Sequence, residues 1–471
     1  MRYISTRGEA PPVSFTDALM IGLARDGGLY VPEAWPALSR ETIASFTGRS
    51  YAEVAFEVIR PLIGGAIADA DLNRMTREAY ATFDRPEVAP LHELGANEFI
   101  LELFHGPTLA FKDIAMQLVA RMMDYVLAQR GERATIVAAT SGDTGGAAVE
   151  AFRGRKRVDV VVLFPKGRVS DVQRRMMTTA AEANVHALAI EGNFDDCQAI
   201  VKALFNDQAF RERVKLSAVN SINWARIAAQ AVYYFTAAAA LGGPVKAVTF
   251  VVPTGNFGDI FAGYAAKRMG LSTGRLVIAT NVNDILARTL ATGRYEPRGV
   301  VATQSPAMDI QVSSNFERLL FEAHGNDAVA VRALMLVFAE KKSFTIGEPA
   351  LGRIRADFEA GRADEDETRA TIRDVHRSSG YLLDPHGAVG LAVARKRAHR
   401  GGSPVVVLGT AHPAKFPDAV EAATGFRPQL PASLSNLMTL PERVTALPAD
   451  KEKIVKFITE KSRAAISGMI A

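Results

Sequence analysis

Cysteine is almost missing from this chain: Cys197 is the only one in 471 residues. That excludes an internal disulfide framework and any zinc site built on clustered cysteines, and it fits a reducing compartment. Histidine is sparse too, with eight scattered copies and no H-E-x-x-H, so no metal site is expected. No two of the 37 glycines stand two positions apart, which removes the dinucleotide fingerprint G-x-G-x-x-G, and no G-x-x-x-x-G-K-[ST] is present either. Neither sign of charge dominates: 55 Lys+Arg against 51 Asp+Glu leave +4. Nucleic acid is therefore not indicated as a partner. One long uncharged stretch, Ile227 to Val245, has the length a bilayer needs. It contains Gln230, Thr236, many alanines and the helix-stopping Gly242-Gly243-Pro244, so it reads as a buried helix and no membrane is expected. Met1 to Phe15 holds no apolar core of a signal peptide, and a cytoplasmic location is expected.

What is present is strand–helix alternation. Short apolar, β-branched runs recur at Phe99–Phe104, Ala134–Ala139, Val158–Phe164, Val185–Ile190, Ala247–Val252, Leu276–Thr280 and Val405–Leu408. Helical periodicity fills most of the gaps, which predicts an α/β architecture with largely parallel sheets. The first ninety residues read differently, with a Gly-rich turn at Asp26-Gly27-Gly28 and helical patterns over Ser50–Leu62 and Ala70–Phe83. Glu340–Arg377 is charged, helical in pattern and free of strand runs, and Lys451–Lys461 predicts one amphipathic helix in the tail. A chain this long exceeds one compact core and predicts two or three domains.

Ligands of parallel sheets gather at the carboxyl ends of strands, so the strand-to-helix turns are informative. Two are rich in glycine: Thr140-Ser141-Gly142-Asp143-Thr144-Gly145 after Ala134–Ala139, and Pro253-Thr254-Gly255-Asn256-Phe257-Gly258-Asp259 after Ala247–Val252. Close backbone approach and a following helix N-terminus make such turns anion sites, although each alone could be an ordinary capped turn. A third cluster, Asn220-Ser221-Ile222-Asn223-Trp224-Ala225-Arg226, puts an arginine in the first turn of a helix, where the dipole disfavours a cation unless an anion meets it. Finally, Lys112 follows Leu109-Ala110-Phe111 and opens the helical pattern Ile114–Leu127. Burial and the dipole would both lower its pKa towards the neutral amine of Schiff-base chemistry, while a surface lysine paired with Asp113 is the plainer alternative. A Schiff-base lysine among anion-cradling turns suits pyridoxal phosphate acting on a phosphorylated or carboxylated substrate.

The blocks His105-Gly106-Pro107-Thr108-Leu109-Ala110-Phe111-Lys112-Asp113, Thr140–Gly145 and Pro253–Asp259 resemble the threonine synthase family in order and spacing. So do Asp26–Pro32, Asn220–Arg226, Ser313-Ser314-Asn315-Phe316-Glu317-Arg318, Asp384-Pro385-His386-Gly387-Ala388 and Gly409-Thr410-Ala411-His412-Pro413-Ala414-Lys415-Phe416. Length and the separate N-terminal unit resemble the longer bacterial and fungal branch. The resemblance implies a fold type II pyridoxal phosphate enzyme, tryptophan synthase β-like, with two α/β domains around a cofactor cleft plus an N-terminal domain. Its expected divisions are 1–90, then 91–245 as the smaller α/β domain with the lysine and substrate loops, then 246–471 as the larger cofactor domain with a helical insert and tail. The implied reaction takes O-phospho-L-homoserine and water to L-threonine and phosphate by γ-elimination and β-addition. By the same resemblance Lys112 is the Schiff-base lysine and acid/base. Phe111, Gly255, Asn256, Phe257, Gly258, Asp259 and Thr410 hold the cofactor, Thr410 through the pyridine nitrogen. Ser141, Asp143 and Thr144 take the substrate carboxylate or lie beside the ring, and Asn220, Ser221 and Arg226 take the substrate phosphate. A dehydratase of the same fold type would have no use for that second phosphate site, and a non-catalytic phospho-ligand binder would be expected to lack Lys112 or Thr410. Oligomeric state, whether monomer or homodimer, stays open.

Overall fold

Each of the seven apolar runs forms a strand, and they sort into two sheets because their connections are long crossovers rather than hairpins. The computed structural model describes residues 1–243, 245–397 and 402–470, the last four by backbone alone. Pro244 of the expected helix stop lies outside the described residues.

The larger sheet has six strands in the order Phe358–Arg362, Thr273–Thr280, Val248–Pro253, Val405–Gly409, Glu98–Glu102 and Leu91–Gly95. All neighbours are parallel except the last pair, an antiparallel edge. Its interior strands are buried on both faces, which is why they read as unbroken apolar runs in sequence. The second sheet is parallel throughout, in the order Thr445–Pro448, Val185–Glu191, Val158–Pro165, Ala134–Ala139 and Leu216–Ser217. A small antiparallel sheet (Val13–Ser14, Arg2–Ser5, Tyr30–Pro32) belongs to the N-terminal unit. The helices there are Tyr51–Ile63, opened by a Ser50/Glu53 capping box, and Asp69–Tyr80.

Sheet membership departs from the expected divisions in two places. Residues 91–102 pair into the same sheet as 248–280, although they were grouped with 103–245. Strand Thr445–Pro448, grouped with 246–444, extends the other sheet beside Val185–Glu191. Hydrogen bonding between strands distant in the chain decides this, and sequence order does not carry it. The segment Glu340–Arg377 also differs from its helical expectation: it contains the strands Phe344–Thr345 and Phe358–Arg362. The second lies at the edge of its sheet with only Phe358 buried, so its sequence Phe-Glu-Ala-Gly-Arg shows no apolar run.

The uncharged stretch at 227–245 is the body of helix Trp224–Ala240, buried along nearly its whole length. It packs on Tyr51–Ile63, Lys112–Arg130 and Gly258–Arg268 and so sits at the centre of the molecule. Among the described residues no helix is long and apolar enough to cross a membrane. The tail helix spans Lys451–Lys461, as periodicity predicts, and adds Ile454 and Ile458 to the apolar cluster that contains Val137, Leu163 and Leu188.

One buried polar residue fastens the second sheet. Asn184 donates to the carbonyls of Phe152 and Val158 at 2.9 Å each and accepts from the Gly154 N–H at 2.9 Å. Asn184→Ala takes its partner from the Gly154 N–H and one of two donors from each carbonyl at a buried site, so we expect a loss of roughly 1–3 kcal/mol. A lowered urea midpoint, with substrate KM unchanged, is the measurement that checks it.

Candidate active site

Lys112 is the first residue of helix Lys112–Arg130, at the mouth of a loop held from several sides. The Phe111 N–H donates to the Thr410 carbonyl at 2.9 Å, and the His412 N–H donates to the Leu109 carbonyl at 3.0 Å. Those bonds stitch the lysine loop to the turn after strand Val405–Gly409. Leu109 adopts φ +58, a left-handed conformation that this pairing holds in place. Behind the loop, Asp113 accepts from the Thr108 N–H at 2.7 Å and its hydroxyl at 2.6 Å, and Gly106 passes so close that a β-carbon would lie 2.5 Å from that of Asp113. Burial pushes the Asp113 carboxyl up to about 6.

The amine of Lys112 is 3.5 Å from Asp143 Oδ2 and 4.6 Å from the centre of the Phe111 ring. Asp143 begins helix Asp143–Phe152. Its other oxygen accepts from Lys415 Nζ at 2.7 Å and from Gln173 Nε2 at 3.0 Å, and Lys415 also donates to the Thr108 carbonyl at 2.7 Å. Lys415 is 1 % exposed. Two lysines thus share one carboxylate. Burial lowers the Lys112 amine from its ordinary value; Asp143 opposes that shift, while Lys415 and Arg226 add to it. Burial alone would raise the Asp143 carboxyl, but the two lysines hold it well below the usual carboxylate range. Its charge is spent on lysines inside the protein, so a substrate carboxylate would meet the neighbouring groups instead. Of these, Ser141 is exposed and Thr144 half-buried. Thr140 Oγ1 shapes the turn by accepting from the Gly142 and Gly145 N–H groups at 2.9 Å each.

The second glycine-rich turn leaves strand Val248–Pro253 and enters helix Gly258–Arg268, which carries no side-chain cap. Its N-terminal N–H groups therefore face whatever the turn encloses. A β-carbon on Gly255 would come within 2.7 Å of the Ala307 carbonyl, and Phe257 holds φ +65 without being glycine. The Ala307 segment is itself pinned, its N–H donating to His386 Nε2 at 3.2 Å while Nδ1 of that ring faces Asp384 at 2.7 Å. Ser313 Oγ donates to the Gly255 carbonyl at 2.6 Å, and Asn315 donates to that of Asn256 through both its backbone N–H and Nδ2. Asp259 turns its carboxylate away, onto the hydroxyls of Tyr233 and Tyr234, and burial raises it to about 6. What Asp259 offers the turn is its backbone.

Arg226 lies in the first turn of helix Trp224–Ala240 and is 3 % exposed. One amino group donates to the Val219 carbonyl at 3.2 Å, and Nε, fully buried, has no partner among the described residues. Burial pulls the guanidinium down to about 10. Such a cation costs folding free energy until an anion reaches it. The turn at 255–259 is adjacent: a β-carbon on Gly258 would lie 3.6 Å from both Ser221 O and Ile227 Cδ1. Asn220 stands exposed and Ser221 half-exposed at the outer end of the same segment. Thr410 is buried beside the lysine loop.

The structure therefore brings Lys112, Phe111, Asp143 and Thr410 together, and the 255–259 turn together with Ser221 and Arg226. Sequence reasoning assigned no role to Lys415, Gln173, Asn315 or His386, although three of them fall in blocks it singled out. Their signal is a polar residue capping a helix, in its first turn or in a short helical turn, which local spacing cannot tell from ordinary helix-end chemistry. Pyridoxal phosphate fits these residues. A depressed, buried amine suits its aldehyde, and uncapped helix N–H groups and a glycine with no room for a side chain suit its phosphate. Among the described residues no cluster of His, Cys, Asp and Glu could hold a metal ion.

Comparison with known proteins agrees with this geometry. Residues 2–80 match the family model for the threonine synthase N terminus, 86–341 that for pyridoxal-phosphate dependent enzymes, and 387–458 that for the threonine synthase C-terminal region. A threonine synthase from Pseudomonas aeruginosa is 53% identical over 461 residues, covering 98% of each chain. The crystal structure of a pyridoxal phosphate-bound threonine synthase from Brucella melitensis is 62% identical, with a TM-score of 0.96 over 98% of this chain and 100% of that one. The yeast threonine synthase structure is 41% identical, with a TM-score of 0.92 over 98% of both. With three family models along the chain and threonine synthases 41–62% identical over 98% of it, the chain belongs to the threonine synthase family of pyridoxal phosphate-dependent enzymes.

Proposed function

We propose that this enzyme converts O-phospho-L-homoserine and water into L-threonine and phosphate. The observation that carries the substrate choice is Arg226, a buried guanidinium with an unpartnered Nε beside the 255–259 turn. An amino-acid substrate without a phosphate would leave it unpaired. When bound, pyridoxal phosphate supplies an electron sink for the substrate's Cα carbanion. Everything else falls to the chain's own groups. Lys112 Nζ is the base that takes the Cα proton and then moves protons at Cβ and Cγ. Burial lowers its pKa and so favours the neutral amine that a base needs. Arg226, with Asn220 and Ser221, holds the phosphate and stabilises its charge as the Cγ–O bond breaks. Ser141, Thr144 and the N-terminus of helix Asp143–Phe152 receive the substrate carboxylate, while Asp143 orients Lys112. Gly255, Asn256, Phe257, Gly258 and Asp259 hold the cofactor phosphate with backbone N–H groups. The Phe111 ring borders the amine, and the Thr410 hydroxyl meets the pyridine nitrogen. We assign one α/β lobe to each large sheet, with the cofactor between them, and the cytoplasm as the working compartment, in keeping with a single buried cysteine.

Phosphate released from O-phosphohomoserine, assayed together with L-threonine, tests the reaction directly; neither product forming would overturn the reading. Lys112→Ala should abolish both turnover and the visible Schiff-base band. Arg226→Ala should keep that band and lower kcat/KM by roughly 10- to 100-fold, the worth of a charge-assisted hydrogen bond of about 1.5–3 kcal/mol. An unchanged kcat/KM would remove the phosphate assignment.

A pH prediction follows from the shared carboxylate. Neutral Lys112 is the form that bonds the cofactor aldehyde, and burial lowers its pKa. Cofactor uptake by the cofactor-free enzyme should therefore rise with pH and level off below the ordinary lysine value of about 10.4. Lys415→Met removes a cation that pushes the pKa down and leaves Asp143 to Lys112 alone, and both changes act upward. The midpoint of uptake, followed by absorbance across pH, should move to higher pH. An unchanged or lowered midpoint would exclude this role for Lys415.

A further inference from the structure

The segment 217–226 has little regular structure of its own before helix Trp224–Ala240, yet its backbone is gripped from two sides. On one side lies the N-terminal unit. Asn223, fully buried, donates through Nδ2 to the Leu19 carbonyl at 2.8 Å and to that of Ala218 at 3.1 Å. Ser217 Oγ donates to the Met20 carbonyl at 2.9 Å. On the other side lies Arg318, also fully buried, in helix Phe316–Ala323. Its Nη2 donates to the Ile222 carbonyl at 2.6 Å, its Nε to the Tyr30 carbonyl at 3.0 Å, and its Nη1 to Asn315 Oδ1. The guanidinium carbon lies 5.6 Å from the Trp224 ring, and that ring packs on Tyr3 and Trp35 of the N-terminal unit. Asn315 in turn donates to the Ser221 carbonyl at 3.1 Å.

A buried guanidinium is among the more expensive groups a fold can hold, and here its three hydrogen bonds go to two backbone carbonyls and an amide oxygen rather than to a carboxylate. Those acceptors belong to different parts of the chain: the N-terminal sheet, the segment carrying Ser221 and Arg226, and the residue that also holds the Asn256 turn. The docking is reinforced next door. Glu317 accepts from the Thr6 hydroxyl at 2.6 Å and from two nitrogens of Arg7 at 3.0 and 2.9 Å.

We propose that Arg318 and Asn223 are positioning residues for segment 220–226, and that the N-terminal unit is thereby a structural wall of the substrate-phosphate subsite. This rests on the reading of Arg226 as the phosphate ligand given above. The arginine fork sets the height of the Ile222 carbonyl, Asn223 sets that of Leu19 and Ala218, and between them Arg226 is aimed. A lysine at 318 would keep the charge but could not span acceptors in such different directions.

The test uses full-length holoenzyme with Arg318→Lys, Asn223→Ala and Arg226→Ala. Four quantities are read: the visible Schiff-base band, KM and kcat for O-phosphohomoserine, inhibition by inorganic phosphate, and spectral titration with L-threonine, which lacks the phosphate. Arg318→Lys should keep the band, lower kcat/KM and raise the phosphate inhibition constant about tenfold or more, and leave L-threonine affinity within about twofold. Asn223→Ala, acting from the opposite side, should show the same selectivity. Should the lysine variant not fold, as judged by circular dichroism, the Asn223 variant decides by the same criteria. Equal weakening of both ligands, or no change in either, overturns the proposal. So does failure of both variants to fold, because a positioning contact leaves the fold standing. If Arg226→Ala itself leaves phosphate inhibition unchanged, the underlying phosphate reading fails instead. If it weakens inhibition while the other two do not, only the positioning role falls.

Discussion

Lys112 and Lys415 share the single carboxylate of Asp143 in a region from which water is nearly excluded. Near them Arg226 has no carboxylate partner among the described residues, so a desolvated cation stands without a counter-charge of its own. Such a cation is unfavourable by itself. It makes sense where the missing anions arrive with ligands: the cofactor contributes a phosphate, and the proposed substrate contributes a phosphate and a carboxylate. The rest of the structure can be understood as the scaffolding that keeps these cations apart and dry until those anions are present.

Crowded backbone does much of that work. Gly255 against Ala307, Gly142 against Gln173, and Gly106 against Asp113 are approaches in which a β-carbon would overlap its neighbour. Around them, side-chain amides and hydroxyls bond to carbonyls rather than to each other, as with Asn315 on Asn256 and Ser313 on Gly255. Such contacts hold loops without adding charge, leaving the electrostatic balance to the few groups that titrate.

Much of this was legible in the sequence. The apolar runs found the interior strands because those strands are buried on both faces, and the glycine-rich turns marked the ligand loops because backbone can approach an anion only where side chains are absent. Lys112 and Arg226 were recognisable as cations in places that disfavour them. Edge strands escaped notice: Phe358–Arg362 and Thr445–Pro448 are half-exposed, so nothing compels an apolar run. The grouping of strands into sheets escaped as well, since Leu91–Glu102 and Val405–Gly409 meet across some three hundred residues. Lys415 illustrates the limit for side chains. It reads as an ordinary basic residue ending a short helical turn, and only its approach to Asp143, contributed by a different sheet, reveals a buried charge.

The position of Val405–Gly409 has a consequence for biosynthesis. It lies between Val248–Pro253 and Glu98–Glu102, so during translation the six-stranded sheet lacks an inner strand until most of the chain has been made. The turn that follows it supplies the carbonyl of Thr410 and the N–H of His412 that tie down the lysine loop, and shortly afterwards the ammonium of Lys415. A nascent chain that has not reached this point has Lys112 but none of these restraints. Long-range pairing of this kind is slow and leaves unpaired edges exposed while it waits. The restraints that fix the lysine loop are therefore acquired late, near the end of synthesis, and a chain truncated before this strand has the cofactor loops without the bonds that hold the lysine in place.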